Sequence, residues 1–280
     1  MTRFALLTVS MSLMILVSTA ARADLLDQYG IGKNGNIEDK YNFGDNIALY
    51  QLFNGYFADQ GAAYSSSNEL FNDRGVDPAT NWTTNGSQLV GGFKVADLGH
   101  TLYMIDNATG NSVAELASIG GTVNIGQGNG ITNLGDYGIS NIPDGLSVSF
   151  RLDADWNGTP VYSWFSDPTL NSGSQWNSLI GGFLGDAMVH MIALDITDLY
   201  NAKYGEMTGY VDSAYMFGWE DLHLNAWGGG QSADWDYQDL VVIMTNIRPE
   251  GDTSVPEPAT IAVLGLGLAG LGFVRRWKNK

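Results

Sequence analysis

The chain has 280 residues, 36 of them Gly and none Cys, with 30 acidic against 13 basic side chains. Without Cys, a disulfide framework, a thiolate metal site and a cysteine nucleophile are all excluded. Between Asp24 and Val255 the balance steepens to 29 acidic against 7 basic, a net charge of −22, which repels phosphates and argues against nucleic acid as a partner.

The first 23 residues read as a secretory signal. Arg3 gives a positive start, Phe4 to Val17 is largely apolar, and Ala21-Arg22-Ala23 supplies the small-x-small pattern for cleavage after Ala23. The alternative is an uncleaved anchor. From Asp24 to about Asn85 the sequence is polar and irregular, with a turn at 42–46, mixed apolar spacing from Ile47 to Phe57 and a loop at 65–68. Tyr50, Phe53, Tyr56 and Phe57 indicate that this segment packs on something.

From about Gln88 short β-like runs alternate with turn signals. They are Leu89 to Val95, Thr101 to Ile105, Thr122 to Ile125, Leu146 to Leu152, Val161 to Phe165, Ala187 to Ile196, Tyr215 to Trp219 and Leu240 to Ile247. Leu146, Val148, Phe150 and Leu152 alternate with polar residues, as a half-buried strand requires. Ala187 to Ile196 is strongly apolar and reads as a buried strand. One helix is expected, around Ile196 to Lys203. The expected fold is mostly β, an antiparallel β-sandwich, jelly-roll-like, over 86–248, with 24–85 packed on it as an N-terminal segment.

The end of the chain has three parts. Val255-Pro256-Glu257-Pro258 is stiff and extended, because Pro fixes φ and disfavours helix before it. Ala259 to Val274 is uncharged and about 24 Å long as a helix, short for a bilayer core of about 30 Å. Arg275, Arg276, Lys278 and Lys280 follow, a basic cluster expected to stay cytoplasmic. This gives a linker over 249–258, a membrane-spanning helix over 259–274 and a basic tail over 275–280. The order of Pro256-Glu257-Pro258, apolar helix and Arg275-Arg276 resembles the PEP-CTERM sorting signal. That resemblance implies export, here through the Sec machinery, and removal of the tail by a membrane protease, exosortase. Proteins with this tail typically come from bacteria that make exopolysaccharide. An ordinary tail anchor is the alternative reading.

The densest internal pattern lies just before this tail. An apolar strand is followed by Tyr215-Met216-Phe217-Gly218-Trp219-Glu220-Asp221-Leu222, then by Asp234-Trp235-Asp236-Tyr237-Gln238-Asp239-Leu240-Val241-Val242. Over about 187–245 this order resembles the domain-of-unknown-function family numbered 4114, found in exported bacterial proteins. The resemblance implies an extracellular β module in which Glu220, Asp221, Asp234, Asp236 and Asp239 act together. In an extended strand Asp234, Asp236 and Gln238 would face one way and Trp235, Tyr237 and Asp239 the other, with the aromatics in the core and the acids at the surface. Carboxylates this close repel one another unless neutralised, and Ca²⁺ does so with six to eight oxygens. The alternatives are a Ca²⁺ site or carboxylates that cap backbone N–H groups in a tight turn.

A second candidate is Asp153-Ala154-Asp155-Trp156-Asn157-Gly158, which opens like a calcium loop. The twelfth position is Trp164 rather than Glu, so an Asn-Gly hairpin turn is the competing reading. Asp153, Asp155 and Asn157 would be the ligands. No G-x-S-x-G, H-E-x-x-H or P-loop is present. Of His100, His190 and His223, His190 reads as a core residue, and His223 lies nearest the acidic cluster. Trp227, beside Gly228-Gly229-Gly230, and Trp235 could stack on sugar rings. The sequence therefore points to a non-catalytic, calcium-stabilised protein of the cell surface or exopolysaccharide (biofilm) matrix. A carbohydrate-binding module and a polysaccharide-acting hydrolase stand as alternatives.

Overall fold

The computed structural model describes residues 37, 39, 47–78, 80–96, 98–120, 132–133, 142–156, 158–171, 176–177, 182–183, 189–222 and 235–250. The sequence readings at the signal peptide, at Thr122 to Ile125 and over the C-terminal motif, helix and basic tail lie outside these residues. The chain divides into two compact units, Met1–Arg248 and Pro249–Lys280. Among the described residues no helix is long and apolar enough to cross a membrane.

The fold is mostly β. Strands β1 (Gly75–Val76), β2 (Trp82–Lys94), β3 (Gly99–Asp106), β4 (Ser112–Ile119), β5 (Thr132–Asn133), β6 (Ser147–Trp156), β7 (Thr159–Phe165), β10 (Met191–Asp195), β11 (Ala214–Trp219) and β12 (Leu240–Pro249) form one open sheet, while β8 (Trp176–Asn177) and β9 (Gly182–Phe183) pair separately. The order is β1-β10-β11-β12-β2-β6-β3-β4, with β5 beside β2 and β7 beside β6. Pairing is antiparallel. The sheet folds over on itself. β11 and β6 stand three strands apart, about 14 Å along a flat sheet, yet the Phe150 and Phe217 rings are 4.9 Å apart. Trp82, at the start of β2, fills the fold with its ring 4.9 Å from Phe217. β2 pairs with β6 at Trp82 and Thr83, then runs along β12, where the Val95 N–H donates to the Asp239 carbonyl at 3.2 Å.

β10, β11 and β12 are buried on both faces, which explains their unbroken apolar sequences. Met191, Ala193, Tyr215, Phe217, Trp219, Leu240, Val242 and Met244 face the β3–β4–β6–β7 layer. Ile192, Leu194, Met216, Val241 and Ile243 face the opposite way, toward helices. Those helices are α1 (Leu49–Phe57), α2 (Ser67–Arg74) and α3 (Thr197–Thr208). The body is thus three layers deep rather than a bare sandwich.

The N-terminal segment differs from its sequence reading. Leu49, Leu52, Phe53 and Phe57 are buried on one face of α1, an i, i+3, i+4, i+8 helical spacing. The loop expected at 65–68 is a helix start: Ser66 caps α2 by accepting from the Glu69 N–H at 3.1 Å. Arg74 ties α2 to the sheet by donating to the Asp195 carbonyl at 3.1 Å and to Asp198 at 2.7 Å. β2 begins at Trp82, so the boundary expected at 85/86 falls inside a strand.

Candidate metal centre

β11 ends at Trp219, and the chain returns to begin β12 at Leu240, directly opposite. Glu220, Asp221 and Asp239 therefore meet at the mouth of this connection. One carboxylate oxygen from each lies within 4.8 Å of the others. All three are buried, at 0%, 2% and 8% exposure. Two oxygens on one Ca²⁺ can be at most about 5 Å apart, twice the 2.3–2.6 Å bond length, so the cluster has dimensions that fit that ion.

Hydrogen bonds fix each carboxylate. Glu220 straps the two ends of the connection, accepting from the Leu222 N–H at 3.1 Å and the Trp235 N–H at 2.7 Å. Asp239 Oδ2 accepts from the Asp221 N–H at 2.7 Å. Asp221 Oδ2 lies 2.7 Å from His100 Nε2, on β3 of the facing layer. Trp164 Nε1, from β7, donates to the Asp221 carbonyl at 2.9 Å. The cluster thus ties both layers together at one end of the fold.

His190 buttresses the site. It stacks on Trp164 with ring centroids 3.6 Å apart and planes 4° apart, and its Nδ1 is 3.0 Å from the Glu220 carbonyl. The expected core role for His190 matches this packing. The returning segment is unusual: Trp235 and Tyr237 both have positive φ, 59° and 55°, a conformation that bulky residues seldom adopt. Burial holds them there, together with the Tyr237 hydroxyl, which donates to the Val189 carbonyl at 2.8 Å. Gly218 makes room for the segment, since a Cβ on it would lie 2.5 Å from the Tyr237 carbonyl oxygen.

Three of the five acids expected to act together do meet. Asp236 is instead engaged by Gln238, which donates from its backbone N–H at 3.2 Å and from Nε2 at 2.5 Å; Asp234 lies outside the described residues. The extended strand with surface acids is corrected. Residues 235–238 are not strand, and the positive φ values turn acids and aromatics alike into the interior. Trp235, expected to stack on sugar, is 0% exposed and has no face to offer one. Trp227 and His223 lie outside the described residues. The histidine that joins the cluster, His100, carries no local signal; it comes from 121 residues away.

At the second candidate site, both described acids have partners within the sheet. Asp153 forms an ion pair with Arg151 at 3.0 Å. Asp155 Oδ1 accepts from the Gly158 N–H at 2.6 Å, closing a hairpin between Trp156 and Thr159 with Gly158 at φ 80°. Asn157 is outside the described residues.

Away from this site, the Arg74 network perturbs two ionisable groups. The hydrogen bond from Arg74 holds the Asp198 carboxyl below its ordinary value of 3.8. Desolvation pushes the Tyr64 hydroxyl up, reinforced by its hydrogen bond to Asp73.

No curated protein matches the chain. Residues 254–276 match the PEP-CTERM protein-sorting motif, and the chain is therefore similar, in that segment, to exported proteins that exosortase processes at the membrane.

Proposed function

We propose that this protein is exported, sorted through its C-terminal motif and placed at the cell surface or in the exopolysaccharide matrix. There it acts as a non-catalytic module stabilised by Ca²⁺ at Glu220, Asp221 and Asp239. The sorting part rests on the motif at 254–276. The resemblance of 187–245 to the domain-of-unknown-function family numbered 4114 supports an extracellular β module.

The calcium part is carried by one observation: three carboxylates within 4.8 Å of one another, all buried. Buried like charges need a counter-charge. A hard divalent cation supplies it and prefers oxygen ligands. The ion would lock the β11–β12 connection to the facing layer through Asp221 and His100. Burial of the acids also supports a structural rather than a catalytic role, because a group acting on an outside molecule has to reach it.

Thermal unfolding in Ca²⁺ and in chelator tests this. A ligand bound only by the native state at 100 times its Kd stabilises it by about 2.7 kcal/mol, about 5–11 °C for a unit of this size. Wild type is expected to show that rise, and Asp239→Asn to lose it. Equal midpoints with and without Ca²⁺ would remove the metal and leave the acids as caps of backbone N–H groups.

A further inference from the structure

On the helix side, a groove of about 440 Å³ runs between α1, α3 and the β2–β12 pair. That volume is within the range of small-ligand sites, about 300–1,000 Å³. Tyr56, Tyr200, Tyr204 and Tyr210 line it, with Gln88 and Asn246 among the polar groups. No lining residue is charged, in a body whose net charge is −22, and the nearby Lys203 ammonium, 4.9 Å from the Tyr56 ring, is paired with Asp59 at 3.0 Å. Such a surface disfavours ionic ligands and offers aromatic faces, hydroxyls and amides.

Tyr210 is the informative residue. It is 74% exposed, yet it is held in place. A Cβ on Gly205 would lie 2.7 Å from two of the ring carbons of Tyr210, so the ring rests on the bare backbone of α3. A buried Gly within a helix is unfavourable in itself, and here its lack of a side chain creates the seat. Next to the ring, Asn201 clamps the chain: its Nδ2 donates to the Val211 carbonyl at 2.9 Å, and its Oδ1 accepts the Val211 N–H at 2.8 Å. Gly209, at φ 89°, turns the chain out of the helix just before the tyrosine. The result is a fixed aromatic ring with an outer face open to solvent. Across the groove Tyr204 and Tyr56 join hydroxyls at 3.0 Å, and Gln88 is exposed.

We infer that this groove binds a neutral oligosaccharide, a sugar ring stacking on Tyr210 while Gln88 and Asn246 meet its hydroxyls. A pyranose offers one apolar C–H face and a rim of hydroxyls, which matches an uncharged lining of rings and amides. The inference leans on the export reading only for the setting in which a polysaccharide is met. The groove shares no residue with the carboxylate cluster, so failure of the calcium reading leaves it standing.

The test is titration calorimetry on the full chain in mild detergent, with cellohexaose, laminarihexaose and maltohexaose as probes, in Ca²⁺ and in chelator. At least one hexaose is expected to bind in both conditions. Tyr210→Ala should weaken that binding about tenfold, and Tyr210→Phe should keep it within about twofold. Gly205→Ala, which lifts the ring off its seat, should weaken binding while the thermal midpoint holds or rises. Hexagalacturonate, of the same length but anionic, should bind more weakly than the neutral probe. The inference is overturned if no hexaose binds wild type, if Tyr210→Ala binds like wild type, or if the anionic probe binds as tightly. A Tyr210→Ala variant that changes only self-association in sedimentation would assign the groove to contacts between copies instead.

Discussion

Replacing Gly218 with Ala probes the returning segment directly. Gly218 lies mid-strand in β11, between Ile192 and Val241. The added Cβ would be 2.5 Å from the Tyr237 carbonyl oxygen and 3.3 Å from Ile192 Cγ1. The oxygen is backbone, and its residue is pinned by the hydrogen bond from the Tyr237 hydroxyl to Val189, so it cannot rotate aside as a side chain would. Overpacking a core costs about 1–3 kcal/mol; with backbone as the obstacle the upper end applies, about 3 kcal/mol. At about 2–4 °C per kcal/mol, the midpoint should fall by about 6–12 °C. Far-UV circular dichroism of variant and wild type, scanned together, measures it. Gly55→Ala is the matched control, since a Cβ there meets nothing within 4 Å. Gly55 is an exposed interior residue of α1, so Ala should stabilise by about 0.5–1 kcal/mol. If Gly218→Ala unfolds within about 2 °C of wild type, the close approach of Tyr237 to β11 is wrong.

Two further outcomes follow from the helical layer. Ser66→Ala removes the α2 cap and should cost about 1 kcal/mol, read as a lower urea midpoint; no change would mean that α2 does not depend on that cap. Asp198, held low by Arg74, contributes stability that is present above its ordinary value of 3.8 and is lost as pH falls through its depressed folded value. Asp198→Asn should therefore be less stable than wild type at neutral pH, with the difference closing in acid. Because Asp198 is 67% exposed, the gap should be small, and salt should narrow it further. A gap that widens on acidification would contradict the pairing.

The strands buried on both faces were the most legible part of the sequence. Residues 191–195, 214–219 and 240–249 carry apolar runs too dense for a half-exposed strand, and β6 alternates as expected. The helix at 197–208 also lay where the sequence placed one. α1 and α2 were obscured by polar surroundings, although Ser66-Ser67-Asn68-Glu69 has the S-x-x-E form of a capping box and α1 has helical spacing of its large apolar residues. β4 was overlooked because Ala114, Glu115 and Ala117 favour helix as readily as strand, and its pairing with β3 is what decides. At the site, Glu220, Asp221 and Asp239 were legible as an acidic group near a strand end. Their burial was not, because it depends on positive φ at Trp235 and Tyr237, which neither side chain favours. His100 could not be foreseen, since only the sheet order brings β3 to the end of β11.

β12 stands between β11 and β2 in the sheet, yet among the described residues it is the last strand in chain order. Until residues 240–249 arrive, β2 and β11 keep facing edges unpaired, and the slot between them is lined by apolar side chains on both sides. Such a slot will accept any passing extended chain, and closing it requires contacts across about 150 residues, which are slow to form. A chain emerging from its N-terminal end therefore has its central plank missing and can lock into shape only after residues 240–249 have emerged. A truncation upstream of Pro249 would not trim an edge from this protein; it would pull out the middle.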